Sequence, residues 1–225
     1  VKFQSPREKY EKNDRIKALI VDIKKLNGGI QVVLSRSDPE FVRSIIELEV
    51  PEIYDKTVEI HKIVRDAGFR TKVAVYSNRE DVDPVGACVG LKGNRIINVI
   101  QELLGEKIDV LKYDSDPTVF IKNALSPAEV SKVIILDADK KQALAIVPDS
   151  QFSLAIGKQG QNVRLANKLC DWTIDVKTEE QYEDLDGLVA ESRKAAHELF
   201  NDNYDEITTI QELPGVDENV AAILK

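Results

Sequence analysis

The chain is short of the residues that do most chemistry. It has no methionine, two histidines and two cysteines among 225 residues. Cys88 and Cys170 are too few for a disulfide framework and have no metal-ligand spacing. They suit a reducing compartment, here the cytoplasm, and read as small buried hydrophobes. His61 sits in an alternating, strand-like stretch and His197 in a helical one, with no shared carboxylate motif. Asp81 and Asp83 lie close together, but Asp83-Pro84 reads as a helix cap. With no Walker loop and no metal spacing, no catalytic set, metal site or cofactor is expected. No apolar run is long enough to span a bilayer and no signal-peptide pattern is present, so no membrane partner is expected. A chain that starts at Val1 and lacks methionine reads as a piece of a longer protein.

Basic charge is also scarce. The net charge is −8, an unpromising value for a nucleic-acid binder until it is divided along the chain. Thr178–Lys225 holds 13 acidic and 3 basic residues, a charge of −10, which leaves +2 on residues 1–177. The acidity belongs to the tail. The remainder is near neutral, so RNA binding has to come from a local basic stripe and not from bulk charge.

What the chain does have is one short device twice. Gly90-Leu91-Lys92-Gly93 and Gly157-Lys158-Gln159-Gly160 lie 67 residues apart. Each sits between two amphipathic helical stretches, and each second helix leads into a strand with an Ile-Asp-Val triplet, at Ile108 and Ile174. Glycines three apart let the backbone turn with no Cβ in the way. The helix that follows offers unpaired N–H groups and a positive dipole end, a surface suited to phosphate. A Gly-x-x-Gly loop joining two helices is the RNA clamp of KH modules. It is also simply a tight helix–helix turn, and the repeat with a Lys in each copy favours the clamp.

Around the loops the chain reads as α+β. Arg15–Lys24 and Ile30–Ser35 form a hairpin about Asn27-Gly28-Gly29. Ser37-Asp38-Pro39 opens a helix with its apolar face on Phe41, Val42, Ile45, Ile46 and Leu48. Strands Val58–Val64 and Arg70–Ser77 precede the first loop, and helix Asn94–Leu104 and strand Lys107–Tyr113 come after it. Asp116-Pro117 starts a helix to Leu125. The plan then repeats: strands Val130–Leu136 and Gln142–Val147, helix Asp149–Ile156, loop, helix Gln161–Cys170, strand Trp172–Lys177. The short junction at Ser126–Glu129 predicts two abutted units and not beads on a string. Beyond it, Glu179–Asp186 reads as an acidic linker, Leu188–Phe200 as a helix, and Leu213-Pro214-Gly215-Val216 as part of a helix-hairpin-helix. Asp217 stands where phosphate-binding hairpins carry Gly, which favours a protein-contacting or structural turn. The tail either restrains RNA binding with its carboxylates or serves as a spacer.

Val82-Asp83-Pro84-Val85-Gly86-Ala87-Cys88-Val89-Gly90, Leu48-Glu49-Val50-Pro51-Glu52-Ile53, Gly105-Glu106-Lys107-Ile108-Asp109-Val110 and the run Leu154–Ala166 closely resemble the bacterial NusA transcription elongation factors, over roughly residues 15–177. The resemblance implies a partial OB-type β-barrel of the ribosomal protein S-one class over 1–36, a linker helix and first type II KH domain over 37–126, and a second KH domain over 127–178. The acidic helical extension over 179–225 matches less well. It implies a monomer that is not an enzyme and that contacts single-stranded nascent RNA, RNA polymerase and other elongation or antitermination factors, in pausing, termination and antitermination. It places RNA contacts at Gly90, Leu91, Lys92, Gly93, Asn94 and Arg95, and at Gly157, Lys158, Gln159, Gly160, Gln161, Asn162, Arg164 and Lys168. Arg164 and Lys168 equally suit a solvated helix face, and Ile96 and Val163 either floor a base groove or belong to the core. The residues leave two rivals open: the accessory region of an exoribonuclease, and a ribosome-assembly protein that uses the fold structurally.

Overall fold

A computed structural model describes residues 3–184. The described residues up to Glu179 form one compact unit, and a second begins at Glu180. The helix expected at Leu188–Phe200 and the hairpin at Leu213–Val216 lie outside the described residues.

The chain opens with a hairpin, β1 (Leu19–Leu26) and β2 (Gly29–Ser35), paired antiparallel with a register shift between Ile20 and Asp22. Its apolar side chains stand in solvent, Ile23 60% and Ile30 70% exposed. Among the described residues this sheet has two strands, so a closed barrel is not seen. A buried ionic knot ties the end of the hairpin to the first helical layer. Arg36 donates to Glu8 at 2.8 Å and to Glu102 at 2.9 Å, and its guanidinium lies 4.7 Å from the Phe41 ring centre. Beside it Arg65 pairs with the buried Glu106 at 2.8 Å, and Glu106 also accepts from the Gly68 amide and the Thr71 hydroxyl. A buried carboxylate persists only when its lone pairs are filled this way.

The first repeat is α1 (Pro39–Glu49), a short α2 (Pro51–Tyr54), β3 (Val58–Asp66), β4 (Arg70–Ser77), α3 (Pro84–Val89), α4 (Asn94–Glu102) and β5 (Lys107–Lys112). The second is α5 (Pro117–Ala124), β6 (Lys132–Asp137), β7 (Gln142–Val147), α6 (Asp149–Ile156), α7 (Gln161–Cys170) and β8 (Thr173–Thr178). Asp38, Asp83 and Asp116 each cap a helix with Pro at its first turn, as the sequence predicts. In both sheets the middle strand pairs antiparallel with its predecessor and parallel with its successor, in the orders β3-β4-β5 and β6-β7-β8. A parallel partner needs a crossover. Here the crossover is the helix–loop–helix that carries the Gly-x-x-Gly turn, so the sheet fixes where each turn emerges. The order αββααβ is that of a type II KH domain.

The first core packs α1, α3 and α4 on one face of the β3-β4-β5 sheet through Phe41, Val42, Ile46, Val73, Val75 and Leu103. The second core does not stop at its own sheet. Phe120, Ile121 and Ala124 of α5, Leu125 at its C-cap and Leu169 of α7 join Ala145 and Val147 in one cluster that also takes in Ala74 and Leu111 from the first sheet. The first sheet is therefore covered on both faces, one by its own helices and the other by the second repeat. Packing places α5 with the second repeat, ahead of the expected division at 126/127, because its apolar face fills that core.

Polar contacts line the same seam. Lys72 is fully buried on β4, and its Nζ donates to the Ser126 carbonyl at 2.7 Å and to Asp109 at 3.2 Å. Asp109 is also held by Arg70 at 2.6 Å. Burial pushes the Lys72 amine down to about 8, against the attraction of Asp109.

Candidate nucleic-acid interface

The two loops are the same turn in backbone terms. Gly90 has φ 76°, ψ 173° and Gly157 has φ 74°, ψ 170°. Lys92 and Gln159 both have φ 53°, with ψ 26° and 30°. Gly93 and Gly160 are left-handed, at φ 77° and 73°. Each loop is closed by a hydrogen bond from its last glycine amide to its first glycine carbonyl, 3.0 Å in both cases. Positive φ favours glycine at both outer positions. At Gly157 there is also no room, since a Cβ there would lie 2.8 Å from the Asn162 backbone nitrogen.

With the glycines fixing the turn, the middle residues project outward. Leu91 is 83% exposed, and Lys92, Lys158 and Gln159 are exposed as well. In register Leu91 corresponds to Lys158 and Lys92 to Gln159, so the lysine occupies a different position in each copy. Among the described residues no salt bridge neutralises Lys92, Lys158 or Lys168. Arg164, exposed on the first turn of α7, donates to the Gln159 carbonyl. Its guanidinium is thereby held against the loop. Lys168 lies one turn further on, exposed on the same face.

Arg95 and Asn162 do something else. Both are the second residue of the helix after the loop, and both reach back to the preceding helix. Arg95 donates to the Ala87 carbonyl at 2.6 Å and to Glu52 at 2.8 Å. Asn162 is fully buried and donates to the carbonyls of Ala155 at 3.0 Å and Leu125 at 2.9 Å. They clasp the two helices at a fixed angle beneath the loop. For Asn162 this corrects the expectation of a contact with phosphate or base, since no atom of it faces solvent. A signal was there: Asn162 shares a helix face with Leu165, Ala166 and Leu169, all buried.

The remaining expected residues stay at the surface. Asn94 and Gln161, the first residues of α4 and α7, are exposed and half-buried, and Ile96 and Val163 are half-buried beside the cores. A cleft of about 630 Å³ runs from Val85 at the start of α3 past Val110 on β5 to the junction at Ser126–Val130. Lys112 and Lys122 line it. Neither lysine stands out in the sequence, although Lys112 alternates in step with Val110 along β5 and so shares its face. Glu129, Asn123 and Ser126 line the cleft too, so it is of mixed character, with two cations that could meet phosphate.

His61 stacks on Tyr113 with ring centres 3.8 Å apart, and burial, helped by neighbouring Lys62, lowers its pKa. Cys88 and Cys170 are buried, and burial pushes both thiols up to about 12. Among the described residues no cluster of His, Cys, Asp or Glu could hold a metal ion, and no helix is long and apolar enough to cross a membrane.

Comparison with known proteins agrees with this geometry. Residues 36–113 match the NusA-like first KH domain and residues 117–184 the NusA-like second KH domain. The chain belongs to the NusA family. It is 47% identical over 232 residues to the transcription termination/antitermination protein NusA of Borreliella burgdorferi, covering 99% of this chain and 48% of that protein. The NusA proteins of Halalkalibacterium halodurans and Bacillus subtilis are 49% and 46% identical, over 88% and 90% of this chain and 51% and 54% of their own lengths. The chain thus spans about half the length of the curated NusA relatives it matches.

Proposed function

We propose that this NusA family chain is a non-catalytic, monomeric, cytoplasmic RNA-binding region that holds single-stranded nascent RNA across both loops. In the whole protein it would act with RNA polymerase and other elongation or antitermination factors to modulate pausing, termination and antitermination. The observation that carries the reading is the pair of exposed loops with matching backbone angles, each ahead of a helix start and each set on its own module's core. The names of the relatives, transcription termination/antitermination proteins, support the transcriptional role. The residues assigned to RNA are Gly90, Leu91, Lys92, Gly93 and Asn94 in the first module, and Gly157, Lys158, Gln159, Gly160, Gln161, Arg164 and Lys168 in the second. Lys112 and Lys122 flank the cleft. Arg95 braces the helices beneath the first loop and remains partly exposed.

The test is to place carboxylates where phosphates sit. Leu91-Lys92→Asp-Asp and Lys158-Gln159→Asp-Asp alter exposed positions with no structural duty. Each should weaken binding to single-stranded RNA strongly while leaving the circular dichroism and the melting temperature unchanged. Unaltered RNA affinity in both variants would refute the reading.

A further inference from the structure

Helix α7, which carries the second loop, is anchored at both ends to a strand of the first module. At its start Gln161 Nε2 donates to Asp66 Oδ2 at 2.6 Å. At its end Asp171 pairs with Lys62 at 2.7 Å. Ten residues of helix rise about 15 Å, and the four residues from Lys62 to Asp66 on β3 span about 13 Å. The helix therefore lies along the strand and is pinned twice. The backbone of Asp66 is itself fixed, in strand register with Arg70 at the β3–β4 turn and with its carbonyl accepting from the Phe69 amide at 2.9 Å.

The Asp66–Gln161 contact has a chemical consequence. A carboxamide can present its oxygen or its nitrogen in either direction, and usually only its partners decide which. An ionised carboxylate accepts and cannot donate. Gln161 must therefore turn its NH₂ toward Asp66, which leaves Oε1 and one N–H to face outward beside Gly160. We infer that Asp66 of the first module sets the base preference of the second loop, by locking the Gln161 carboxamide with its oxygen toward the RNA. A base whose exocyclic group lies against Oε1 is selected for an amino group there, as in adenine or cytosine, over the carbonyl of uracil, which would face another acceptor. The first loop has no such lock. Its counterpart, Asn94, turns its oxygen to the Arg95 amide at 2.9 Å and leaves its NH₂ outward, the opposite presentation.

This inference rests on the RNA-binding reading, and the experiment separates the two. Affinities of the full chain are measured by fluorescence anisotropy for synthetic single-stranded RNAs in which each position in turn is adenine, cytosine or uracil. The wild-type chain should show one position, dependent on Lys158-Gln159, where the amino-bearing bases bind about two- to tenfold tighter than uracil, the worth of one hydrogen bond. Asp66→Asn keeps the shape but lets the amide pair turn over, and should bring that ratio close to one with affinity for the uracil-bearing RNA nearly unchanged. Gln161→Ala should erase the same preference, and it decides the matter if Asp66→Asn does not fold. A ratio that survives either folded variant, or a wild-type chain with no such position, overturns the inference and leaves RNA binding standing. Absence of RNA binding in the wild-type chain overturns both.

Discussion

Lys72 offers the most exacting test of the packing between the two modules. It is an amine with no exposure at their seam, 2.7 Å from the Ser126 carbonyl. Burial lowers its pKa to about 8 from the ordinary 10.5. The folded state therefore holds fewer protons than the unfolded chain between those two values, and stability rises with pH across that window. Below pH 8 both states carry the charge and the native state bears the full cost of burying it, roughly 3 kcal/mol. Lys72→Met removes the charge but leaves the Ser126 carbonyl without a donor, at about 1–3 kcal/mol. Asp109 keeps its bond to Arg70 in the variant. The two effects nearly cancel at pH 7, so wild type and variant should have similar stabilities there. At pH 10.5 the neutral amine still bonds the carbonyl, and the wild-type chain should be the more stable by about 1–3 kcal/mol. Urea unfolding of both proteins at intervals from pH 7 to 10.5 measures the difference, in which the other lysines and tyrosines largely drop out. A difference that stays within about 0.5 kcal/mol across the window would refute the buried-amine account.

The same geometry sets other outcomes. Asn162→Ala should cost about 2–4 kcal/mol of stability, because it orphans two buried carbonyls, whereas Arg164→Ala should cost little stability and lower RNA affinity; thermal melts and anisotropy titrations distinguish the two roles. Gly157→Ala should destabilise by more than Gly160→Ala, since both glycines have positive φ but only the first lacks space for a Cβ. An RNA long enough to reach both loops should bind more tightly than a fragment filling one, by effective concentration, and its affinity should fall with added salt. Truncation after Lys177 should tighten RNA binding at 0.01 M salt, where the Debye length is about 30 Å, if the tail's carboxylates compete with phosphate; equal affinities of the intact and truncated chains would leave only the spacer role.

Much of this fold is legible in the sequence because its signals are local. Helices Asp149–Ile156 and Gln161–Cys170 and strand Gln142–Val147 lie where the patterning predicts them. The loops declare themselves through glycines at a fixed offset, and Asp83-Pro84 and Asp116-Pro117 mark helix starts through capping. The features that escape a sequence reading depend on partners far away in the chain. The roles of Arg95 and Asn162 depend on carbonyls 8, 7 and 37 positions away, and a polar residue just past a Gly-x-x-Gly turn looks alike whether it points inward or outward. The ionic knot at Arg36 joins residues 28 and 66 positions apart. Helix α5 looks like the end of one module because a short Ser-Pro stretch comes after it, yet its apolar face belongs to the next.

The sheet clad on both sides bears on how such a protein can be inherited and dissected. Ala74 and Leu111 sit on the first module's strands but are buried in the core they share with the second module. Cutting the chain between the modules would bare that sheet and strip α5 and α7 of their backing, so neither half should melt as the pair does. The tandem should then unfold as one cooperative unit, in a single transition. A recombination event that exchanged only one of its halves would have to re-fit an entire interior, while the four exposed residues between the paired glycines could change one at a time with the scaffold undisturbed.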